Sequence, residues 1–161
     1  MKYIYILLIF IGSTAFATID IGVGTSSYTS GRAAPTLALG VDTGNWGLLY
    51  RSVGVQTTIY SQNSWTIAGI KNIYAEKMGI TTAFMGAGLG TCYILRSYRQ
   101  SPSSTTDSYN ETVIGPHLLF KIQFGPAFLA FDTLLGLSTN IVQHILLNFQ
   151  DVSHITFGIS L

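Results

Sequence analysis

The most constraining feature of this chain is a strict two-residue rhythm between Thr112 and Leu137, TVIGPHLLFKIQFGPAFLAFDTLLGL. Ile114, Pro116, Leu118, Phe120, Ile122 and Phe124 form one alternate set, all apolar, against His117, Leu119, Lys121 and Gln123. After Gly125-Pro126 the rhythm resumes, with Leu129, Phe131, Thr133, Leu135 and Leu137 alternating with Phe128, Ala130, Asp132, Leu134 and Gly136. Side chains on a strand point to opposite faces in turn, so this stretch predicts a hairpin with one oily and one mixed face. In water the oily face would be a core. The rest of the chain decides what it meets here.

Only 9 % of the 161 residues are charged, against 48 % apolar. Soluble domains average about 25 % charged residues. After the first twenty residues the apolarity is spread out rather than blocked, which suits strands better than spanning helices. Net charge is +1, and removal of Lys2 with a leader would leave seven basic against seven acidic residues. That balance gives no basic footprint for nucleic acid. The single Cys92 excludes an intrachain disulfide and supplies no thiolate cluster for a metal, and no cofactor motif is present.

The start, MKYIYILLIFIGSTAFA, places Lys2 before an apolar run from Tyr3 to Ile11 and ends in Ala15-Phe16-Ala17. A positive start, an apolar run of roughly 7–15 residues and an A-x-A end mark a secretory signal peptide. Residues 1–17 are therefore expected to be cleaved after Ala17, and 18–161 to form one domain. A retained signal anchor is the competing reading, weakened by Gly12, Ser13 and Thr14, which break the run.

Alternation recurs in Thr18–Thr25, Leu37–Asp42, Trp46–Val55, Trp65–Ala75, Ile80–Leu95 and Ile155–Leu161, which with the two strands of the opening hairpin makes eight. Thr43-Gly44-Asn45, Glu76–Gly79 and Gly125-Pro126 read as short turns; Tyr28–Pro35, Ser61–Ser64, Ser97–Glu111 and Thr139–Asp151 read as longer loops. In hydrocarbon every backbone N–H and C=O must be paired inside the protein, which permits strands only as a closed barrel. Long connections at one end and short ones at the other are the pattern of outer-membrane barrels. The expected fold is all-β, an eight-stranded antiparallel up-and-down transmembrane β-barrel. Strands of about 9–11 residues fit comfortably within the 144 residues left after the leader.

The leader, the alternating chain and the ending His154-Ile-Thr-Phe-Gly-Ile-Ser-Leu161 resemble the small eight-stranded outer-membrane proteins, the group with the OmpA barrel, OmpX and OmpW-like chains. The resemblance is architectural. It implies the bacterial outer membrane, contact with outer-membrane lipid, and recognition of the last strand by the barrel assembly machinery. That strand usually closes on Phe in the family; this chain ends on Leu161.

Met78 to Leu95 carries no charge and contains Gly86-Ala-Gly-Leu-Gly90, so a spanning helix competes there. Glycine at every second position favours a strand with one thin face, leaving room for Phe84, Phe128 or Arg51. Pairing Phe124 with Ala127 sets Lys121 opposite Ala130 and one diagonal step from Asp132, within reach of a Lys side chain. Lys121 and Asp132, extended by Arg51 and by Asp20 or Asp42, are therefore the candidate lumen ion network. An eight-stranded barrel is just wide enough for side chains to fill, so a narrow small-solute channel ranks third among the functional readings.

His154 and Thr156 share a face. Lipid A deacylases of similar size carry a His-x-Ser pair with an acidic partner, which makes a lipid A-modifying acyl hydrolase the alternative function, with Thr in place of Ser. His117, His144 and His154 lack metal-ligand spacing. Thr139–Asp151 is apolar for an external loop, fitting strand extension, a rim helix or a sticky contact. Pro116 falls near the expected top of its strand, where a bulge would suit it. The sequence thus predicts a non-enzymatic outer-membrane barrel whose loops Ser97–Glu111 and Thr139–Asp151 are free to meet an extracellular ligand.

Overall fold

A computed structural model describes residues 17–28, 33–99, 106–139 and 148–161. Residues 1–16 of the leader, half of the Tyr28–Pro35 loop and the middle of Thr139–Asp151 therefore lie outside the described residues. Eight strands follow in order: β1 (Thr18–Tyr28), β2 (Ala34–Asp42), β3 (Trp46–Gln56), β4 (Tyr60–Met78), β5 (Thr81–Arg99), β6 (Thr106–Phe124), β7 (Ala127–Thr139) and β8 (Asn148–Ser160). Each pairs antiparallel with the next, and β8 pairs with β1, closing an up-and-down barrel. Closure leaves no strand at an edge.

Register fixes the barrel's width. Paired residues lead from Thr18 through Asp42, Gly47, Ile70, Gly88, His117, Leu134 and Val152 back to β1 at Tyr28, ten residues beyond the start. A stagger of this size tilts the strands by about 35–45° and leaves an interior that side chains can fill. The three short turns hold Gly44, Gly79 and Gly125 at φ of 84°, 64° and 56°, a region costly for any residue with a Cβ.

The burial pattern inverts that of a water-soluble domain. Leu118, Phe120 and Leu129 point outward and stay 46 %, 42 % and 47 % exposed, while His117, Lys121 and Asp132 point inward and are buried. The same belt continues around the barrel through Val23, Leu39, Leu48, Ile67, Leu89 and Phe157. Trp46 faces outward, Arg51 inward, as their alternation requires.

Several sequence boundaries move. Phe124 does pair with Ala127 and Lys121 with Ala130, but β4 begins at Tyr60 and β5 runs to Arg99, so Ser61–Ser64 is strand rather than loop. The β3–β4 connection is only Thr57–Ile59. Ser97–Glu111 is likewise mostly paired, Arg99 meeting Thr106, with only 100–105 between them. Above an apolar belt both faces of a strand turn polar, and the alternation that betrays it disappears. Met78–Leu95 is strand β5 with the end of β4, not a helix.

The longer β6 puts Pro116 in mid-strand. It keeps register with Leu89 of β5, while pairing to β7 lapses at Gly115 and Pro116 without a shift, because Pro has no N–H to donate. The bulge occurs instead in β4 between Asn72 and Tyr74. The glycines make room, but for other neighbours than expected: a Cβ on Gly90 would come within 3.0 Å of His117 Nδ1, and one on Gly86 within 2.4 Å of Ile70.

Candidate functional site

Inward positions along β6 give the interior in miniature: Lys121, Leu119, His117, Val113 and Glu111, alternating polar and apolar tiers from one mouth to the other. Every strand contributes at the same spacing, so the tiers run across the lumen.

At the short-turn end, Lys121 Nζ donates to Asp20 Oδ2 at 2.6 Å, and Ser160 Oγ donates to Asp20 Oδ1 at 2.5 Å. The ammonium lies 5.2 and 5.4 Å from the ring centres of Phe128 and Phe84, where the ring faces attract it. Above lies an apolar tier of Leu49, Ala68, Ile70, Leu119, Phe128 and Ala130.

The middle tier holds the buried centre. Arg51 Nε and Nη2 donate to Asp132 Oδ2 at 3.1 and 2.7 Å, and Arg51 Nη1 reaches the carbonyls of Leu39 and Tyr50, both at 3.2 Å. His117 Nε2 sits 3.1 Å from Asp132 Oδ1, so this carboxylate is held on both oxygens. Asp132, His117 and His154 are all fully buried. The Ser26 hydroxyl bonds both Thr36 and His154 Nδ1. A second apolar tier follows, including Val53, Ile94, Val113, Leu134 and Val152.

Near the other mouth Arg96 Nη1 donates to Glu111 Oε2 at 3.0 Å and its Nε to Gln62 Oε1 at 3.0 Å. Ser138 and Gln150 donate to the remaining Glu111 oxygen. The four residues of the candidate network thus lie in the lumen as two pairs in different tiers: Lys121 with Asp20, Arg51 with Asp132. Lys121 and Asp132, diagonal on the hairpin, take other partners. Asp42 stays apart, accepting from Gly44 N at 2.7 Å and Asn72 Nδ2 at 3.0 Å.

Arg96 and Glu111 escaped the sequence reading because Arg96 fell just past the expected end of its strand at Leu95 and Glu111 in the supposed loop Ser97–Glu111. Continuing the parity of Cys92 and Ile94, and of His117 and Val113, finds both.

No protein-family model matches the chain, and no curated protein does. Among solved structures, the N-terminal β-barrel domain of Pseudomonas aeruginosa OprF is similar with a TM-score of 0.51 at 12 % identity, covering 89 % of this chain and 97 % of that one. Neisserial surface protein A is similar with a TM-score of 0.53 at 11 % identity, covering 90 % and 94 %. The fold is that of the small outer-membrane β-barrels. At such identity the likeness is one of fold alone, and chemistry has to be read from this chain's own residues.

Within that fold His154 and Thr156 are fully buried inside the lumen. His154 is engaged by Ser26, and His154 Nε2 and Thr156 Oγ1 have no hydrogen-bond partner among the described residues. Both side chains are separated from the apolar exterior by the barrel wall. Among the described residues no group of three or more His, Cys, Asp or Glu is arranged to hold a metal ion.

Proposed function

We propose that this protein is a non-enzymatic outer-membrane barrel with a filled lumen, exported by cleavage after Ala17, whose loop end meets an extracellular ligand or surface. One observation carries this reading: the closed barrel turns its apolar set outward, and its ion pairs, Arg51–Asp132, Arg96–Glu111 and Lys121–Asp20, inward. Such a surface calls for an apolar surrounding, which the outer-membrane bilayer supplies. The segments joining β1 to β2, β5 to β6 and β7 to β8 all leave from one mouth. We assign these joining segments, the last two of which lie within the sequence ranges Ser97–Glu111 and Thr139–Asp151, to partner contact. The barrel assembly machinery is the proposed partner during biogenesis, reading the strand that ends at Leu161.

The apolar tiers and paired charges support a structural lumen over a solute path. Hydrolysis of lipid A through His154 and Thr156 draws no support from their position, since an acyl chain outside the barrel has no route to either.

Gel mobility tests the reading most directly. Folded protein in detergent should migrate at a different apparent size unheated than after boiling. One position under both conditions, from a sample whose circular dichroism is that of folded β-sheet, would refute it. In planar bilayers the protein should add no conductance steps, and lipid A mass spectra should be the same with and without it.

A further inference from the structure

The apolar belt stops below the tops of β4, β5 and β6. Its last outward residues there are Trp65 and Tyr93, whose rings stack 6.2 Å apart at 17°. Above them the outward face is polar except for Leu95, in two straight cross-strand rows: Asn63, Leu95 and Asn110, then Ser61, Ser97 and Ser108. These rows line a hollow of about 350 Å³, and a second of about 170 Å³ adjoins it at Ser61 and Ser97 and reaches Arg99. Asn110 Nδ2 donates to Tyr93 Oη at 3.3 Å, which leaves its Oδ1 enclosed and without a partner among the described residues.

We propose that this trough holds the saccharide headgroup of an outer-leaflet glycolipid packed against the barrel wall. The inference rests on the membrane reading above and adds a ligand and a site to it. Three features select that occupant. Hydroxyls and amides offer donors and acceptors together, which is what sugar hydroxyls require; the cations lining the hollows are Arg99 and Arg96, and Arg96 is buried and paired with Glu111, which leaves too little positive charge for a cluster of phosphates. The trough opens sideways on the face that carries the apolar belt, so a headgroup seated there has its acyl chains directly below, beside Trp65 and Tyr93. Trp and Tyr at that junction present an apolar body to the chains and a polar edge to the sugars. The larger hollow falls within the roughly 300–1,000 Å³ of small-molecule sites.

The test uses the full barrel in bilayers of phosphatidylethanolamine and phosphatidylglycerol, after the heat-dependent gel shift has established that it is folded. Trp46→Phe leaves Trp65 as the remaining tryptophan of two and turns its emission into a local probe. Titration with a rough-type lipooligosaccharide should shift that emission saturably. Extra phosphatidylglycerol should not, and the acid-released core oligosaccharide should act far more weakly. Ser61→Leu with Ser97→Leu should weaken the response about tenfold, the worth of one or two hydrogen bonds. Asn110→Ala, which removes the unpartnered acceptor without adding bulk, should weaken it in the same direction. An equal response to phosphatidylglycerol, an equal response to the released oligosaccharide, or insensitivity to both variants overturns the proposal while leaving the membrane reading intact. Loss of the gel shift in the parent protein overturns the membrane reading itself.

Discussion

Replacing Asp132 by Asn keeps the side chain's size and removes one charge, which makes the energetics of the middle tier measurable. Arg51 is 3 % exposed, and among the described residues Asp132 is the carboxylate it contacts, at 2.7 Å. With Asn there, the guanidinium keeps two carbonyl bonds but stays buried without a counter-charge. Breaking a buried pair from one side costs about 3–5 kcal/mol, a large part of the ~5–15 kcal/mol that holds a typical domain together. Urea unfolding from lipid vesicles, followed by tryptophan emission, should show the midpoint falling by more than about 1 M at an ordinary slope of ~1–3 kcal/mol per molar. The double variant Arg51→Met with Asp132→Leu removes both charges; it takes one partner from His117 and one from the Leu39 and Tyr50 carbonyls that Arg51 reached, and an unpaired buried His costs about 1–3 kcal/mol. It should therefore be more stable than Asp132→Asn alone. If the double variant loses as much as the two single ones added together, the residues do not act as a pair and the reasoning fails.

Three further outcomes follow from other parts of the barrel. Leu118→Arg, on the outward belt, should cost about 2–4 kcal/mol if it lies near the middle of the bilayer; no loss of vesicle-bound stability would place that face in water. A Cβ on Gly88 would come within 1.8 Å of the Gly69 carbonyl oxygen, whereas one on Gly69 meets nothing within 4 Å. Gly88→Ala should thus destabilise by about 1–3 kcal/mol and Gly69→Ala by no more than ~0.5 kcal/mol, read from the same urea midpoints. Cys92 is fully buried, so a maleimide reagent added outside intact vesicles should label it only after denaturation, and rapid labelling of the folded form would contradict a sealed interior.

Sequence alone exposes what is local and periodic. The two faces, the Phe124–Ala127 register and the inward aim of Arg51 and Asp132 all follow from counting by twos. Partner choice does not. Asp20 lies 101 residues from Lys121, and only closure of β8 on β1, with its ten-residue stagger, brings them to one tier. The hairpin alone offers Lys121 a diagonal Asp132, and the closed barrel gives that carboxylate to Arg51. Arg96 and Glu111 were hidden for a different reason. Beyond the apolar belt, a strand's outward face is as polar as its inward face, so Ser97–Glu111 has the composition of a loop while its backbone is a ladder.

The interior is filled by complementary sizes rather than by a uniform core. Cβ atoms on Gly22, Gly40 and Gly90 would come within 3.0, 3.3 and 3.0 Å of Phe128, Asp20 and His117, so glycines face the bulkiest or charged neighbours. This matters for conduction. A solute moving from mouth to mouth meets Arg96–Glu111, then a tier of Leu134, Ile94 and Val113, then Arg51–Asp132, then Leu49, Ile70 and Leu119, then Lys121–Asp20. To widen such a path, the strands would have to separate at hydrogen-bonded pairs, or a charged pair would have to part between apolar tiers that offer neither ion another partner. Parting costs what Asp132→Asn is expected to cost, about 3–5 kcal/mol at each pair, before any apolar side chain has moved. The same arrangement opposes conduction and stiffens the frame, and under the proposed function it leaves recognition to the barrel wall and the loop end.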